Sequence, residues 1–263
     1  MPLTFFRACS IIVHTLETRQ KEDKFAMIIR NKGKITKLEI IQVASRMFLE
    51  DGYSKTTIRA ICSELGISPG HLMFYFPTKE HLLAEVVDIL CDFQWELIKR
   101  VTNEGASQLM AICFEMTTMA SACEESEIAR DFYISAYTGA LTLEKIRRND
   151  TERAKDIFGE YCKDWSDSQF REAETLISGI EYATFMTTES SSELDVRIRG
   201  ALNTIMMIYN VPREIREIKI QKALALDYRK MGKQILSEFI KYVNETNETA
   251  FEELYRFKNQ SKK

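Results

Sequence analysis

The 263-residue chain is 45% hydrophobic and 29% charged, with four prolines and ten glycines, a composition that supplies a sizeable core and excludes a largely disordered or fibrous chain. Its formal charge of −3 hides an asymmetry: residues 27–83 carry eight Lys/Arg against five Asp/Glu, while residues 84–263 carry 24 against 31, so only the front part suits a polyanion. No stretch reaches the roughly 20 apolar residues that cross a bilayer, and the six cysteines (Cys9, Cys62, Cys91, Cys113, Cys123, Cys162) form no C-x-x-C pair, the pattern of reduced core thiols in a cytoplasmic protein.

In chain order, the first segment, MPLTFFRACSIIVHTLETRQKEDKFA, is an apolar run broken by Arg7, Ser10 and His14. Without a basic start or a small-residue cleavage site it is not a signal peptide. Met27 then opens MIIRNKGKITKLE, a basic lead into the first helix. The expectation is that translation starts at Met27. Residues 1–32 are set apart as a disordered or mis-annotated extension.

Thr36 and Glu39 form a capping box ahead of a helical stripe of Ile40, Ile41, Val43, Ala44, Met47 and Phe48, which Gly52 stops. Thr56 or Thr57 caps a second helix with Ile58, Ile61, Cys62 and Leu65 on one face, ended by Gly66. After a short turn, Ser68 caps and Pro69 opens a third helix, ISPGHLMFYF, with Ile67 and Leu72 as a hydrophobic staple. Too many of its large side chains remain for one small neighbour to bury. Some must face outward.

Residues 36–87 resemble the DNA-binding domain of the tetracycline-repressor (TetR-like) family of bacterial transcriptional regulators. The matching elements are Ala44 and Phe48, Gly52-Tyr53, Thr56-Thr57-Ile58, Ile61, Gly66-Ile67-Ser68, Gly70, Leu72, Tyr75-Phe76, Lys79-Glu80 and Leu82-Leu83. The resemblance implies that Ser68–Phe76 is a recognition helix, which physics supports, since a helix fits the major groove and its N-terminal N–H groups suit phosphates. The expected DNA-contacting set is Thr56, Thr57, Ser68, Pro69, Gly70, His71, Met73, Phe74, Tyr75 and Lys79. In it Tyr75 and Lys79 hold phosphates, His71 reaches a base edge, and Met73 or Phe74 meets a thymine methyl. The family often has Lys, Thr, Tyr and His where this chain has Pro69, His71, Met73 and Phe74. The operator is therefore not transferable from relatives.

Beyond residue 79 the apolar periodicity predicts helices at 79–101, 105–122, 125–137, 141–165, 168–188, 194–209 and 213–243, with a short polar tail helix after 246 and a frayed end at 258–263. The fold expected is all-α: a helix-turn-helix domain over 33–83 and a larger helical effector-binding and dimerisation domain over 84–263. All three histidines (His14, His71, His81) lie in the front third, and the chain has neither an H-E-x-x-H nor a glycine-rich phosphate motif. Enzymatic activity, a metal and a cofactor are not expected, and Glu124, Glu125 and Glu127 read as a solvated helix face. The resemblance implies a homodimer formed through late helices, with 168–188 and 194–209 the candidates, a double-stranded palindromic operator, and a small apolar or amphipathic effector. The alternative is a TetR-like protein-interaction module that no small molecule controls.

Overall fold

A computed structural model describes residues 37–103 and 107–260, with side chains described for 37–97 and 107–246. The extension at 1–32, the start at Met27, the Thr36 half of the capping box and residues 261–263 of the tail lie outside the described residues. Every described element is a helix. The helices are α1 (Lys37–Met47), α2 (Ile58–Leu65), α3 (Pro69–Tyr75), α4 (Lys79–Asn103), α5 (Gln108–Glu125), α6 (Glu127–Thr138), α7 (Ala140–Phe158), α8 (Asp167–Phe185), α9 (Leu194–Ile208), α10 (Arg213–Leu224) and α11 (Tyr228–Gln260). The architecture is an N-terminal helix-turn-helix followed by a larger helical bundle.

Local chemistry sets the front three helices. The stripe of α1 buries Ile40, Ile41 and Ala44, and the helix loosens into a π-helical turn over Phe48–Gly52 before Gly52, at φ +97°, turns the chain. Of the two candidate caps it is Thr57 whose side chain accepts the Ala60 N–H, at 3.1 Å, while Gly66 closes α2 at φ +65°. Ser68 Oγ accepts the His71 N–H at 3.2 Å, with Pro69 in the first turn of α3.

The expected helix over 213–243 is two helices. The chain leaves α10 at Ala225 and re-enters a helix at Tyr228, where Asp227 Oδ1 accepts the Lys230 N–H at 3.3 Å. The expected helix over 141–165 ends at Phe158, because residues 159–166 tighten into turns that carry the Cys162 thiol onto the Tyr209 carbonyl at 3.3 Å. The polar tail expected after 246 is the continuous end of α11.

A single apolar core runs from Ile40 in α1 to Val243 in α11. The helix α4 passes through the expected boundary at 83/84 without a break. Leu82 and Leu83 on one side of it and Val86 and Val87 on the other are all fully buried. The last helix lies along α5 and also touches α1, where Gln42 Nε2 donates to Asn244 Oδ1 at 2.8 Å. Cys62, Cys91, Cys113, Cys123 and Cys162 are buried and unpaired in disulfides, and burial raises each thiol above its ordinary range. Cys9 lies outside the described residues. Among the described residues no helix is long and apolar enough to cross a membrane, and no group of His, Cys, Asp and Glu is arranged to hold a metal.

Candidate DNA interface and the cavity behind it

On α3 only Leu72 is buried, which leaves the rest of the helix to an outside surface. Ser68, Pro69 and Gly70 are exposed, as are Met73 (51%), Phe74 (82%) and Tyr75 (37%). Phe74 and Tyr75 meet edge to face at 5.2 Å between centroids, so the aromatic tip is ordered by its own ring contact. A Cβ at Gly70 would approach only Ser68 Oγ, at 4.0 Å. Internal packing therefore does not require glycine there, although glycine costs a helix about 1 kcal/mol relative to alanine.

Three expected contacts are placed differently. Thr56 is 2% exposed and its hydroxyl donates to the Met47 and Gly52 carbonyls at 3.1 and 2.8 Å, so this side chain ties the turn from inside. The Lys79 ammonium donates to the Tyr53 and Thr56 carbonyls at 2.9 and 3.0 Å and sits 4.0 Å from the centre of the Tyr53 ring. Partial burial lowers its pKa, and Asp131 acts in the opposite sense. These contacts direct its charge into the head rather than toward a phosphate. His71 is half-buried against Tyr75, at 5.8 Å between centroids, and its Nε2 is enclosed without a hydrogen-bond partner. A base edge would have to be read by Nδ1. Thr57, by contrast, is exposed at the N-terminus of α2 beside Lys55 and Arg59, two exposed cations that the residue pattern did not single out.

Behind the head, the turn Gly52–Thr56 is pinned from two sides. Asp131 of α6 accepts the Ser54 N–H at 2.8 Å and the Ser54 hydroxyl. Lys79, the first residue of α4, holds the same turn from below. Glu80 Oε1 in turn accepts the Leu141 N–H of α7 at 2.9 Å. Further along, α4 and α6 both form walls of an internal cavity of about 60 Å³, α4 through Leu90 and Gln94, α6 through Tyr133 and Tyr137.

That cavity is not purely apolar. Glu115, Asp150, Arg153, Glu174 and Glu181 all line it. Arg153, 4% exposed, pairs with Glu115 and, at 3.0 Å, with Asp150. The Tyr209 hydroxyl donates to Glu174, and Tyr137 Oη donates to Glu181 at 2.8 Å. Burial, reinforced by the Asp150 charge, pushes the Glu174 carboxyl up to about 8 and Glu181 well above its ordinary range; burial also lifts Asp150 to about 6 against the pull of Arg153. The sequence reading missed this cluster. Its signal lies in α8, where Glu174 and Glu181 share the helical face of Phe170, Ala173 and Ile177, a stripe that periodicity reserves for the core. Glu124, Glu125 and Glu127, read as solvated, are exposed.

A short capped helix pair joined through a left-handed glycine, with the second helix presenting its side chains outward, defines a helix-turn-helix protein. Residues 40–86 match the family model for bacterial regulatory proteins of the tetR family. The HTH-type transcriptional regulator YuxN of Bacillus subtilis (strain 168) is 31% identical over 80 residues, which is 30% of this chain and 28% of that protein. The HTH-type transcriptional repressor KstR2 of Mycolicibacterium smegmatis is 31% identical over 71 residues, 27% of this chain and 35% of that protein. These alignments span about a third of the length of the curated relatives. The chain shares its fold with RolR crystallised without ligand, at a TM-score of 0.52 and 18% identity over 69% of this chain and 95% of that one. The front of the chain, residues 40–86, is thus similar to the helix-turn-helix of tetR-family regulatory proteins, and a larger helical body follows it.

Proposed function

We propose that the chain is a cytoplasmic homodimeric repressor that places α3 in the major groove of a palindromic operator and leaves DNA when a small molecule occupies the body cavity. The observation that carries this is the face of α3. Beyond the cap made by Ser68 and Pro69, Met73, Phe74 and Tyr75 are exposed and the position at Gly70 is unfilled, so this face is not covered by the rest of the fold. Thr57 and the N-terminus of α2 supply a neighbouring anion site, and Lys55 and Arg59 lie beside it in the chain. Within this reading, Thr56 and Lys79 position the turn rather than touch DNA. The name of KstR2 supports repression over activation.

The switch follows from shared helices. About 16 Å of α4 separates Lys79 at the head from Leu90 at the cavity, and α6 carries both Asp131 and the cavity tyrosines. A ligand that fits better when either helix shifts would therefore move both anchors of the Gly52–Thr56 turn, and differential affinity of a few kcal/mol suffices to change DNA occupancy. The dimer face fits α8 and α9. Leu176, Gly179 and Ala183 on α8, and Val196, Gly200 and Met207 on α9, are exposed. A Cβ at Gly179 or Gly200 would meet nothing within 4 Å, so two helix-weakening glycines remain unexplained by the fold and suit the close approach of a second copy.

Selection of operators from random DNA by the purified protein at stated salt tests the reading, with Gly70→Glu as control. The wild type should enrich a palindrome, and Gly70→Glu should dimerise without binding it. Normal operator binding by Gly70→Glu would remove α3 from the interface. One observation favours a second reading as a protein-interaction module: α3 carries no Lys or Arg and exposes three large apolar residues. Failure to enrich any DNA, together with binding that does not weaken as salt rises, would favour that reading.

A further inference from the structure

We propose that the body cavity takes a small organic cation, a protonated or quaternary amine on an apolar body, held between the carboxyl groups of Glu174 and Glu181 and the rings of Tyr137 and Tyr209. The inference rests on the cavity being the effector site of the proposed regulator, and it assigns the ligand's charge. Four carboxyl groups, from Glu115, Asp150, Glu174 and Glu181, face a space lined by a single guanidinium. That guanidinium, Arg153, is committed to Glu115 and Asp150. Among the described residues, Glu174 and Glu181 form no ion pair, although the charge of Arg153 is felt at Glu174. They have only the hydroxyls of Tyr209 and Tyr137.

Glu174 and Glu181 are seven residues apart on α8 and so share one face. Ile177 lies between them, and the Phe158 and Tyr209 rings stack at 4.1 Å on the same wall. Carboxylates set among aromatic faces are what a desolvated ammonium requires, since the charge finds a counter-ion and its alkyl surface meets ring quadrupoles. A second observation points to a ligand. Arg153 is only 4% exposed, it lines the cavity, and its Nε is enclosed without a hydrogen-bond partner. An acceptor atom on the same ligand would satisfy that enclosed donor once the guanidinium turned toward it. At roughly 10–15 Å³ per water, the cavity has room for several waters or a one-ring amine in their place.

The titratable and charged residues lining the cavity with the pair are Cys91 on α4, Glu115 on α5, Tyr133 and Tyr137 on α6, Asp150 and Arg153 on α7 and Tyr209 at the end of α9. Arg147 of α7 also reaches α8, but its Nε donates to Ser178 Oγ at 3.0 Å and not to either glutamate. Burial pushes the Glu174 carboxyl up to about 8, against the pull of Tyr209 and Arg153, which favours its protonated form at neutral pH. A cation would favour its ionised form, so binding releases a proton and tightens as pH rises toward 8, by up to about tenfold per unit.

A test uses the full chain with three probes on one scaffold: benzylamine as cation, benzyl alcohol as neutral and benzoate as anion. Each is added at millimolar concentration between pH 6 and 8. Benzylamine should raise Tm more than the other two, the gain should grow with pH, and calorimetry in buffers of different ionisation enthalpy should show net proton release. Glu174→Gln/Glu181→Gln keeps an acceptor for each tyrosine hydroxyl and removes the charge, so the preference for amine over alcohol should disappear. Equal responses to amine and alcohol, including no response to either, overturn the proposal, as does an unchanged preference in the double variant. A cation that binds with the expected signature yet leaves operator affinity unaltered preserves the cation site and removes its effector role. Loss of the operator-binding reading, in turn, leaves the probe measurements standing.

Discussion

At Glu174 a carboxyl group occupies a position in the apolar stripe of α8 where a leucine would serve the core better, and its folded pKa, raised mainly by burial, makes stability depend on pH. The unfolded chain loses this proton near the ordinary glutamate value, the folded chain only near 8, so between those limits the folded state holds the extra proton. Stability is then full below the unfolded pKa and falls by about 1.4 kcal/mol per pH unit for each such group as pH rises toward the folded pKa. Without ligand, Tm should decline between pH 5 and pH 8. Glu174→Gln should flatten that decline, which circular dichroism melts at each pH would register, and a decline of unchanged slope would remove Glu174 as its source. The outward residues of α3 were legible as a surplus that no small neighbour could bury. The roles of Thr56 and Lys79 were not, because a hydroxyl or an ammonium can serve a carbonyl inside the turn as well as a phosphate outside it, and spacing alone does not distinguish the two.

Among the elements, α11 depends on close approach. A Cβ at Gly232 would lie 2.8 Å from the Ala122 nitrogen and 2.9 Å from Ser121 Cβ, so backbone and not a flexible side chain blocks it. Gly232→Val should therefore lift α11 from α5 and cost roughly 1–3 kcal/mol, read as a Tm lowered by about 2–4 °C for each kcal/mol. An unchanged Tm would mean that the two helices do not cross there. Helix existence was legible almost throughout from apolar periodicity, although the serine caps that start three of the helices, Ser107, Ser126 and Ser166, were not picked out. The break between α10 and α11 was harder to read. LALDYRK contains no glycine or proline, and its one signal is Asp227, whose cap is written only in the contact it makes with Lys230.

For the whole molecule, two copies meeting through α8 and α9 would bury Leu176 and Met207, which a monomer leaves 54% and 53% exposed. Leu176→Glu/Met207→Glu should give a folded monomer by sedimentation, with helical content retained and operator affinity reduced by orders of magnitude, because one head makes half the contacts. A double variant that remained dimeric would move the interface elsewhere. Sequence exposed the front unit through its residue pattern, whereas the body, where similarity is low, revealed only periodicity. The contact of α11 with α1, through Gln42 and Asn244, carries a further consequence. The last described helix completes the surface of the first, so the front helices are not an interchangeable module. A chimera that joins these front helices to another body at residue 83 would forfeit a packing surface encoded some 160 residues downstream, so on the proposed function a change of operator is better sought by recoding α3 in place.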